Sequence, residues 1–258
     1  MRLTVLGSSG GYPQPDNPNT GFLLEHEGRR LWIDAGTGTF AELQRHVDFR
    51  QVDALVLSHY HPDHCADVYP LFIAIRYGED AGRFRLPLYA PAGTLEALGP
   101  LLAEGGVAKL AEGFDSETFG SGDAVEVAGF RLSFLRTDHS ANAHAIRAEC
   151  DGGILTFSAD TGPGVDLAPF ARGSDLFLCE ATYQDARQGA PVHLTARQAA
   201  ETAVRAQVKH LALTHLWPPF DPEVSLAEAR EAAGDLPVRW VRAGDVIEIG
   251  WNLEAFAP

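Results

Sequence analysis

The sequence has no long apolar run and little cysteine. No stretch of roughly 18 or more consecutive apolar residues occurs, which argues against a membrane span. The opening segment, MRLTVLGSSGG, lacks the long apolar core of a signal peptide. The three cysteines, Cys65, Cys150 and Cys179, form no CxxC pair and cannot make an even disulfide framework. We therefore expect a cytoplasmic protein in a reducing compartment, without a membrane partner.

Positive charge is also scarce, since 20 Lys and Arg residues stand against 35 Asp and Glu residues and the net charge is −15. The basic residues are dispersed, with no cluster beyond Gly-Arg-Arg at 28–30. Because an acidic chain repels phosphate backbones at long range, long nucleic acid is a disfavoured partner and a small ligand is easier to accommodate. No linker rich in proline or serine interrupts the chain, so we predict one domain over residues 1–258.

Short apolar, β-branched runs alternate with amphipathic segments, a pattern typical of layered α/β (α+β) proteins. We predict strands at 2–6, 20–25, 30–34, 53–58, 86–90, 124–128, 130–137, 144–149, 153–158, 175–179, 209–214, 238–242 and 245–249. We predict helices at 38–47, 63–76, 92–103, 165–171, 195–207 and 223–233. The helix at 195–207 has the clearest pattern, with a threonine at its start and an alanine-rich body.

Five of the apolar runs deliver an aspartate or a histidine at or just past their carboxyl ends. These residues are Asp34, His59, His139, Asp160 and His215. In layered α/β proteins, loops gather into a binding crevice at that edge of the sheet. Chance could place one or two such residues there, so five of them indicate a site.

The segment LSHYHPDHCAD concentrates further metal-binding side chains. Zinc and similar metals take imidazole nitrogens and carboxylate oxygens as ligands. His59 and His61 are two residues apart on an extended turn and can face one ion. Asp63 and His64 lie in the first turn of the following helix and can face a second ion. Asp160 is suited to bridge them, since one carboxylate can bind two cations.

The other histidines and the nearby cysteine are interpreted as structural residues. We interpret His26, His46 and His210 as surface or hydrogen-bonded structural residues, and His144 as structural with a smaller chance of facing the site. Cys65 would suit a soft metal, but a single thiol in the first turn of a helix is more often a small buried residue.

Together these residues resemble the metallo-β-lactamase fold superfamily, in particular its ribonuclease Z-like branch. The resemblance is strongest to a group of bacterial proteins that includes atypical class II cyclic-nucleotide phosphodiesterases. It extends from LTVLGSSGGYP through HYHPDH, SADTG and CEATY to LTHLWPP. It implies a single-domain, four-layer αββα sandwich, in which two mixed sheets pack face to face and the metals lie at one edge.

Carried over to this sequence, the resemblance implies two divalent metal ions, with zinc preferred and manganese or iron as alternatives. The implied ligand sets are His59, His61, His139 and Asp160 for one ion, and Asp63, His64, Asp160 and His215 for the other. Asp34 would lie behind the ligands and orient one of the histidines. A homodimer is a family-level expectation only.

Departures from the superfamily pattern narrow the expected activity. His64 completes a second ligand set that true metallo-β-lactamases usually lack, and His61 stands where redox di-iron relatives typically carry glutamate. Ribonuclease Z has a long arm that grips tRNA. Only a short stretch separates Asp160 from Glu180 here, so no such arm is visible between them.

The segment CEATYQDARQGAPVHLTARQ resembles the ribonuclease Z segment in which a glutamate and a histidine lie opposite the metals. Glu180 and His193 occupy those positions, although Cys179 replaces the histidine often found before the glutamate. A leaving alkoxide needs a proton, and His193, held by Glu180, could supply it. The alternative is that Glu180 caps a loop and His193 is a surface residue before a helix.

We therefore predict a dinuclear metal-dependent hydrolase that cleaves a small phosphodiester, with a cyclic nucleotide as the first choice, by attack of a metal-bridging hydroxide. Asp63 or Asp160 would accept or orient the proton of the attacking group. Two alternatives use the same metals: a ribonuclease Z-like tRNA 3′-processing endonuclease and a glyoxalase-like thioester or carboxylic ester hydrolase. Trp217, two residues after His215, could stack on a base or pack beside prolines in a rigid turn.

Overall fold

The computed structural model describes residues 1–79, 81–102 and 106–250 and contains two seven-stranded sheets. The strands are β1 (Arg2–Gly7), β2 (Gly21–His26), β3 (Arg29–Ile33), β4 (Ala54–Val56), β5 (Leu86–Pro91), β6 (Phe114–Phe119), β7 (Ala124–Val127), β8 (Phe130–Arg136), β9 (His144–Cys150), β10 (Gly153–Phe157), β11 (Leu176–Glu180), β12 (Leu211–Thr214), β13 (Val238–Trp240) and β14 (Val246–Glu248). The strand order is β14-β1-β2-β3-β4-β5-β6 in the first sheet and β13-β12-β11-β10-β9-β8-β7 in the second. Each sheet is mixed, with antiparallel pairs on one side and parallel pairs on the other.

The helices connect strands and cover the outer faces of both sheets. They are α1 (Thr39–His46), α2 (Pro62–Cys65), α3 (Val68–Tyr77), α4 (Thr94–Leu98), α5 (Gly106–Leu110), α6 (Ala168–Ala171), α7 (Ala196–Ala206) and α8 (Pro222–Ala233), with 3₁₀ turns at Phe49–Gln51 and Gly99–Leu102. Among the helices of the described part of the chain, none has the length and apolar character needed to cross a bilayer.

Three apolar layers hold the sheets and helices together. Between the sheets, Phe22 of β2 meets Phe157 of β10 edge-to-face, with ring centroids 5.2 Å apart. Outside the first sheet, Trp32 of β3 stacks on Phe40 of α1. Outside the second sheet, the alanines of α7 pack in one cluster with Phe177 of β11, which lets helix and sheet approach closely. The predicted four-layer αββα sandwich is therefore confirmed.

Every predicted strand is present, with its ends shifted by at most two residues. The prediction missed β6, whose sequence is FDSETF. Its four central residues are exposed and polar, so no alternation of apolar and polar residues marks it. Parallel pairing with β5 at the edge of the first sheet makes this segment a strand.

The predicted helix 63–76 was wrong in its continuity, because the structure divides it into α2 and α3. The backbone amide of Asp67 donates to the carbonyl of Ala35 at 2.8 Å instead of to its own helix. The side chain of Asp67 accepts from the amide of Phe40 at 2.7 Å, at the start of α1. Contacts with a distant segment therefore interrupt the helix.

Other helix predictions need smaller corrections. The helix predicted at 92–103 is α4 followed by a 3₁₀ turn, and residue 103 lies outside the described residues. The helix predicted at 165–171 begins only at residue 168, and α5 was not predicted. The prediction for 195–207 is confirmed: Thr195 caps α7 in a reciprocal capping box with Gln198.

Candidate metal centre

The candidate ligands lie where strands end. Because β8 and β10 both run antiparallel to β9, and β10 to β12 run parallel, these strands end at the same edge of the second sheet. His139, Asp160 and His215 follow β8, β10 and β12 at that edge. Asp34 and His59 follow β3 and β4, which are parallel neighbours in the first sheet.

Three non-glycine residues at these strand ends have left-handed backbone conformations. The φ angles are 56° at Asp34, 51° at Ala159 and 61° at His215. Such conformations are uncommon away from glycine and often occur at functional sites. Each of these residues is a predicted site residue or directly precedes one, so the backbone is turned sharply at the candidate centre.

The first candidate ligand group contains His59, His61, His139 and Asp160, whose ligand atoms all lie within 4.8 Å of one another. Nε2 of His139 is 3.0 Å from Nδ1 of His61. Oδ2 of Asp160 is 3.8 Å from Nε2 of His59 and 3.7 Å from Nε2 of His139.

The second candidate ligand group contains Asp63, His64, Asp160 and His215, again within 4.8 Å. Nε2 of His215 is 3.2 Å from Nε2 of His64 and 3.2 Å from Oδ2 of Asp63. Oδ1 of Asp160 is 3.2 Å from Nε2 of His64 and 3.4 Å from Nε2 of His215. Asp160 thus directs one carboxylate oxygen to each group.

The donor atoms fit divalent cations. Within the described residues, Nε2 of His59 and Oδ1 of Asp160 are buried and make no hydrogen bond. Buried polar atoms are normally paired, so a bound cation would supply the missing partner. Two nitrogens bound to one tetrahedral zinc ion at about 2.0–2.1 Å stand about 3.3–3.4 Å apart, close to the spacings seen here.

Hydrogen bonds behind the ligands set which imidazole nitrogen faces the centre. Nδ1 of His64 donates to Oδ2 of Asp34 at 2.7 Å, so its Nε2 is left for the centre. The carboxylate of Asp34 also accepts from the amide of Ser58 at 2.6 Å and from its hydroxyl at 2.7 Å. Nδ1 of His139 lies 3.0 Å from the carbonyl of Val192. Asp34 therefore contacts a candidate histidine ligand, while its orienting role stays a prediction.

Thr182 sets which nitrogen of His215 faces the centre, and this residue was not predicted from the sequence. Its hydroxyl donates to Oε2 of Glu180 at 2.7 Å and so accepts from Nδ1 of His215 at 2.8 Å. Nε2 of His215 then faces the second group. Ser58, which lies 3.0 Å from Nδ1 of His59, was missed as well. The available signal was position, because Ser58 adjoins a ligand and Thr182 belongs to the CEATY segment.

Charge at the centre favours cation binding. Burial disfavours the charged form of His64, but the carboxylates of Asp160, Asp34 and Asp63 outweigh burial and hold its pKa well above the usual range. Burial, together with the neighbouring His64, holds the pKa of His59 well below the usual range. A buried cluster of carboxylates with one neutral imidazole beside it is a setting in which added positive charge is stabilised.

Glu180 and His193 meet beside the two groups. Nδ1 of His193 donates to Oε1 of Glu180 at 3.0 Å. Glu180 is fully buried and also accepts from the amides of Thr161 at 2.7 Å and Leu194 at 3.3 Å. Burial lowers the pKa of His193, but the carboxylate of Glu180 more than offsets this and raises it to about 9. The structure therefore favours a charged, oriented His193 over a free surface residue.

The predicted site residues come together in one cleft of about 230 Å³. It is lined by Gly11, His61, Asp63, His139, Ser140, Asp160, Thr182, Tyr183, Val192, His193, His215 and Trp217. None of these described lining residues is lysine or arginine. The seven predicted ligands, Glu180 and His193 are all in or against this cleft, while their roles stay predictions.

The residues interpreted as structural lie outside both ligand groups. His46 contacts Glu42 on its own helix, and His210 lies against the carbonyl of Asp175. His144 packs edge-to-face against Phe119. Within the ranges that the structure describes, His26 and Cys65 also belong to no metal-ligand group, and Cys65 is buried.

Comparison with a protein-family model gives a match over residues 29–216, to the family described as the Beta-lactamase superfamily domain. The uncharacterized protein Rv1339 of Mycobacterium tuberculosis is 34% identical over 254 residues, which is 96% of this chain and 92% of that protein. Ribonuclease Z of Methanopyrus kandleri is 29% identical over 267 residues, covering 89% of this chain and 91% of that protein.

A Bacillus subtilis protein named probable metallo-hydrolase YhfI is similar in both sequence and structure. It is 28% identical over 251 residues, covering 96% of this chain and 100% of that protein. Its crystal structure, described as a metallo-beta-lactamase fold protein, matches with a TM-score of 0.85 at 25% identity, covering 96% of this chain and 99% of that one. The similarity thus spans nearly the whole chain.

Proposed function

The chain belongs to the beta-lactamase superfamily as a metallo-hydrolase, and from that premise we propose that it cleaves small phosphodiesters with two divalent cations. The superfamily resemblance found in the sequence is confirmed, and so is its ribonuclease Z-like character. The substrate class and the number and identity of the ions are our proposal, with zinc as the first choice and manganese or iron as alternatives.

The observation that carries the proposal is the division of Asp160 between the two ligand groups, with His193 held beside them. One oxygen of Asp160 faces His59 and the other faces His64 and His215. Two cations bound in this way would activate a water molecule and offset the negative charge of a phosphate group. Paired cations of this kind suit displacement at phosphorus, where both the entering and the leaving oxygen carry charge.

His193 would supply the proton that a leaving oxygen requires. Hydrolysis adds a hydroxyl group to phosphorus and a proton to the leaving oxygen as the bond between them breaks. Because Nδ1 of His193 donates to Glu180, the proton for the leaving group would come from Nε2. The proton lost by the water restores His193 through solvent. Asp63, whose Oδ2 is held by the amide of Gly11 at 2.8 Å, would orient that water.

The size and the charge of the cleft support a small substrate over tRNA. Its described lining has no lysine or arginine to pair with a chain of phosphates. Between Asp160 and Glu180 the described structure has only the short helix α6 before β11, and no protruding arm. Together with the net charge of −15, these features support a substrate with a single phosphodiester group.

A turnover screen tests the proposal. The zinc-loaded and the manganese-loaded protein would be assayed with 3′,5′-cyclic AMP, bis-para-nitrophenyl phosphate, a glutathione thioester and a precursor tRNA. We expect turnover of the two small phosphodiesters. Hydrolysis of the thioester alone, or cleavage of the precursor tRNA with no activity on cyclic AMP, would contradict the proposal.

A further inference from the structure

Two large exposed aromatic side chains pack together, and one of them lines the candidate cleft. Trp217 is 39% exposed and lines the cleft together with the candidate ligands. Tyr12 is 47% exposed and packs edge-to-face on Trp217, with ring centroids 5.7 Å apart. Exposed aromatic surface next to a polar site is a common mark of ligand binding, because covering the rings with a ligand removes apolar surface from water and is favourable in free energy.

The position of Trp217 is set by the strand that supplies a candidate ligand. Trp217 follows His215 by two residues, and Leu216 between them is buried. The carbonyl of Leu216 accepts from the amide of Gly10 at 3.0 Å, which joins this turn to the glycine loop after β1. The turn then closes with a hydrogen bond from the amide of Phe220 to the carbonyl of Trp217. The backbone of Trp217 is therefore held at a fixed place relative to His215.

The glycine loop after β1, residues 7–11, contacts both the indole of Trp217 and the second ligand group. Gly11 has a φ of 69°, and a Cβ at this position would lie 2.3 Å from Cζ3 of Trp217. Its amide donates to Oδ2 of Asp63 at 2.8 Å. The hydroxyl of Ser9 donates to the carbonyl of Tyr12 at 2.8 Å, which fixes the loop further. Gly11, which precedes Tyr12 and lies against Trp217, is thus hydrogen-bonded to the candidate ligand Asp63.

The cleft is small and is open to solvent beside Trp217. Its volume of about 230 Å³ lies below the roughly 300–1,000 Å³ usual for ligand pockets. With a phosphate group at the candidate ligands, a base joined to it through a sugar would reach Trp217, which lines the same cleft and is exposed.

We propose that Trp217, supported by Tyr12, is the binding site for the base of a nucleotide substrate, which stacks on the exposed indole. This inference rests on the proposed phosphodiesterase function and deepens it by naming the substrate class. Stacking on an aromatic face needs no hydrogen-bond reading of the base, so the site selects phosphodiesters with a planar heterocycle and discriminates little among bases.

A kinetic experiment with paired substrates tests the role of Trp217. The metal-loaded protein is assayed with 3′,5′-cyclic AMP and with the 3′,5′-cyclic phosphate of methyl riboside, which has no base. We expect Trp217→Ala to raise KM for cyclic AMP by roughly 5- to 150-fold, with kcat and the kinetics of the base-free substrate little changed. Trp217→Phe should restore most of the affinity, because it keeps an aromatic face.

The matched control is Tyr77→Ala, which removes an exposed aromatic ring from α3, away from the cleft. It should leave both substrates unaffected. An equal rise of KM for both substrates in Trp217→Ala, or no rise for cyclic AMP, would overturn the proposal.

A binding experiment separates this proposal from the proposed function. Calorimetry would compare adenosine 5′-monophosphate with ribose 5-phosphate, neither of which requires turnover. We expect the nucleotide to bind more tightly, and Trp217→Ala to abolish that difference while the metal content stays the same. If this holds but no phosphodiester is hydrolysed, the base site stands and the proposed function fails. If phosphodiesters are hydrolysed but the two ligands bind alike, the base site is wrong and the function stands.

Discussion

The two candidate ligand groups share Asp160 but differ in charge and depth. The first group surrounds that carboxylate with three histidines, of which His61 is half-buried. The second group adds Asp63, which is also half-buried, and Asp34 lies directly behind its buried histidine His64. More negative charge around a buried ligand binds a cation more strongly. We therefore expect the second group to bind its ion more tightly, and the first group, nearer to solvent, to lose its ion first on chelation.

Asp160→Ala should have the largest effect, because both ligand groups lose their shared carboxylate. We expect loss of both ions and a fall in turnover of roughly 10³-fold or more. Elemental analysis and turnover measure the two effects. Asp166→Ala removes an exposed aspartate paired with Arg205 and is the control. An Asp160→Ala protein that keeps both metals would contradict the division of this carboxylate between the groups.

His193→Ala should leave both groups intact while removing the proton donor beside them. We expect both ions to remain and kcat to fall by about 10²- to 10⁴-fold. His46→Ala, which removes a histidine that contacts Glu42 on α1 outside both groups, should change neither property. Loss of metal from His193→Ala would show that this residue supports the ligands and is not a proton donor.

Asp34→Ala should weaken the second group more than the first, because Asp34 contacts His64 directly and reaches His59 only through Ser58. Without the carboxylate, Nδ1 of His64 loses its partner, and we expect the affinity of the second group for zinc to fall by about 10- to 100-fold. Competition with a chelator would show two separate steps in the wild type and steps of similar affinity in the variant. An equal loss of affinity in both groups would argue that Asp34 acts on the whole centre.

The smallest expected effect comes from Thr182→Val, which removes one hydroxyl from between Glu180 and His215. We expect turnover to fall by about fivefold, since a hydrogen bond that orients His215 contributes roughly 1 kcal/mol. Thr214→Val is the matched control, because that buried threonine hydroxyl makes no hydrogen bond in the described structure. Equal effects of the two substitutions would mean that the loss reflects packing and not orientation.

The sequence predicted the strands well because apolar β-branched runs are a local signal. It missed β6, where pairing at a sheet edge outweighs a polar composition, and it joined α2 to α3 because the break depends on a contact between Asp67 and Ala35. At the site, the residues at strand ends were found from their positions. Thr182 and Ser58 were not, because a hydroxyl that orients an imidazole has no characteristic spacing from it.

The sequence by itself determined the kinds of donor atom and their places at the ends of strands, since these follow from residue type and local periodicity. Only the tertiary structure decided which donors meet. His64 and His215 are 151 residues apart, and their nitrogens come within 3.2 Å because the two sheets pack with their strand ends together. The same packing decided that Asp160 presents a different oxygen to each group and that Trp217 lies at the mouth of the cleft. Such relations depend on the paths of strands distant in sequence, which local patterns do not contain.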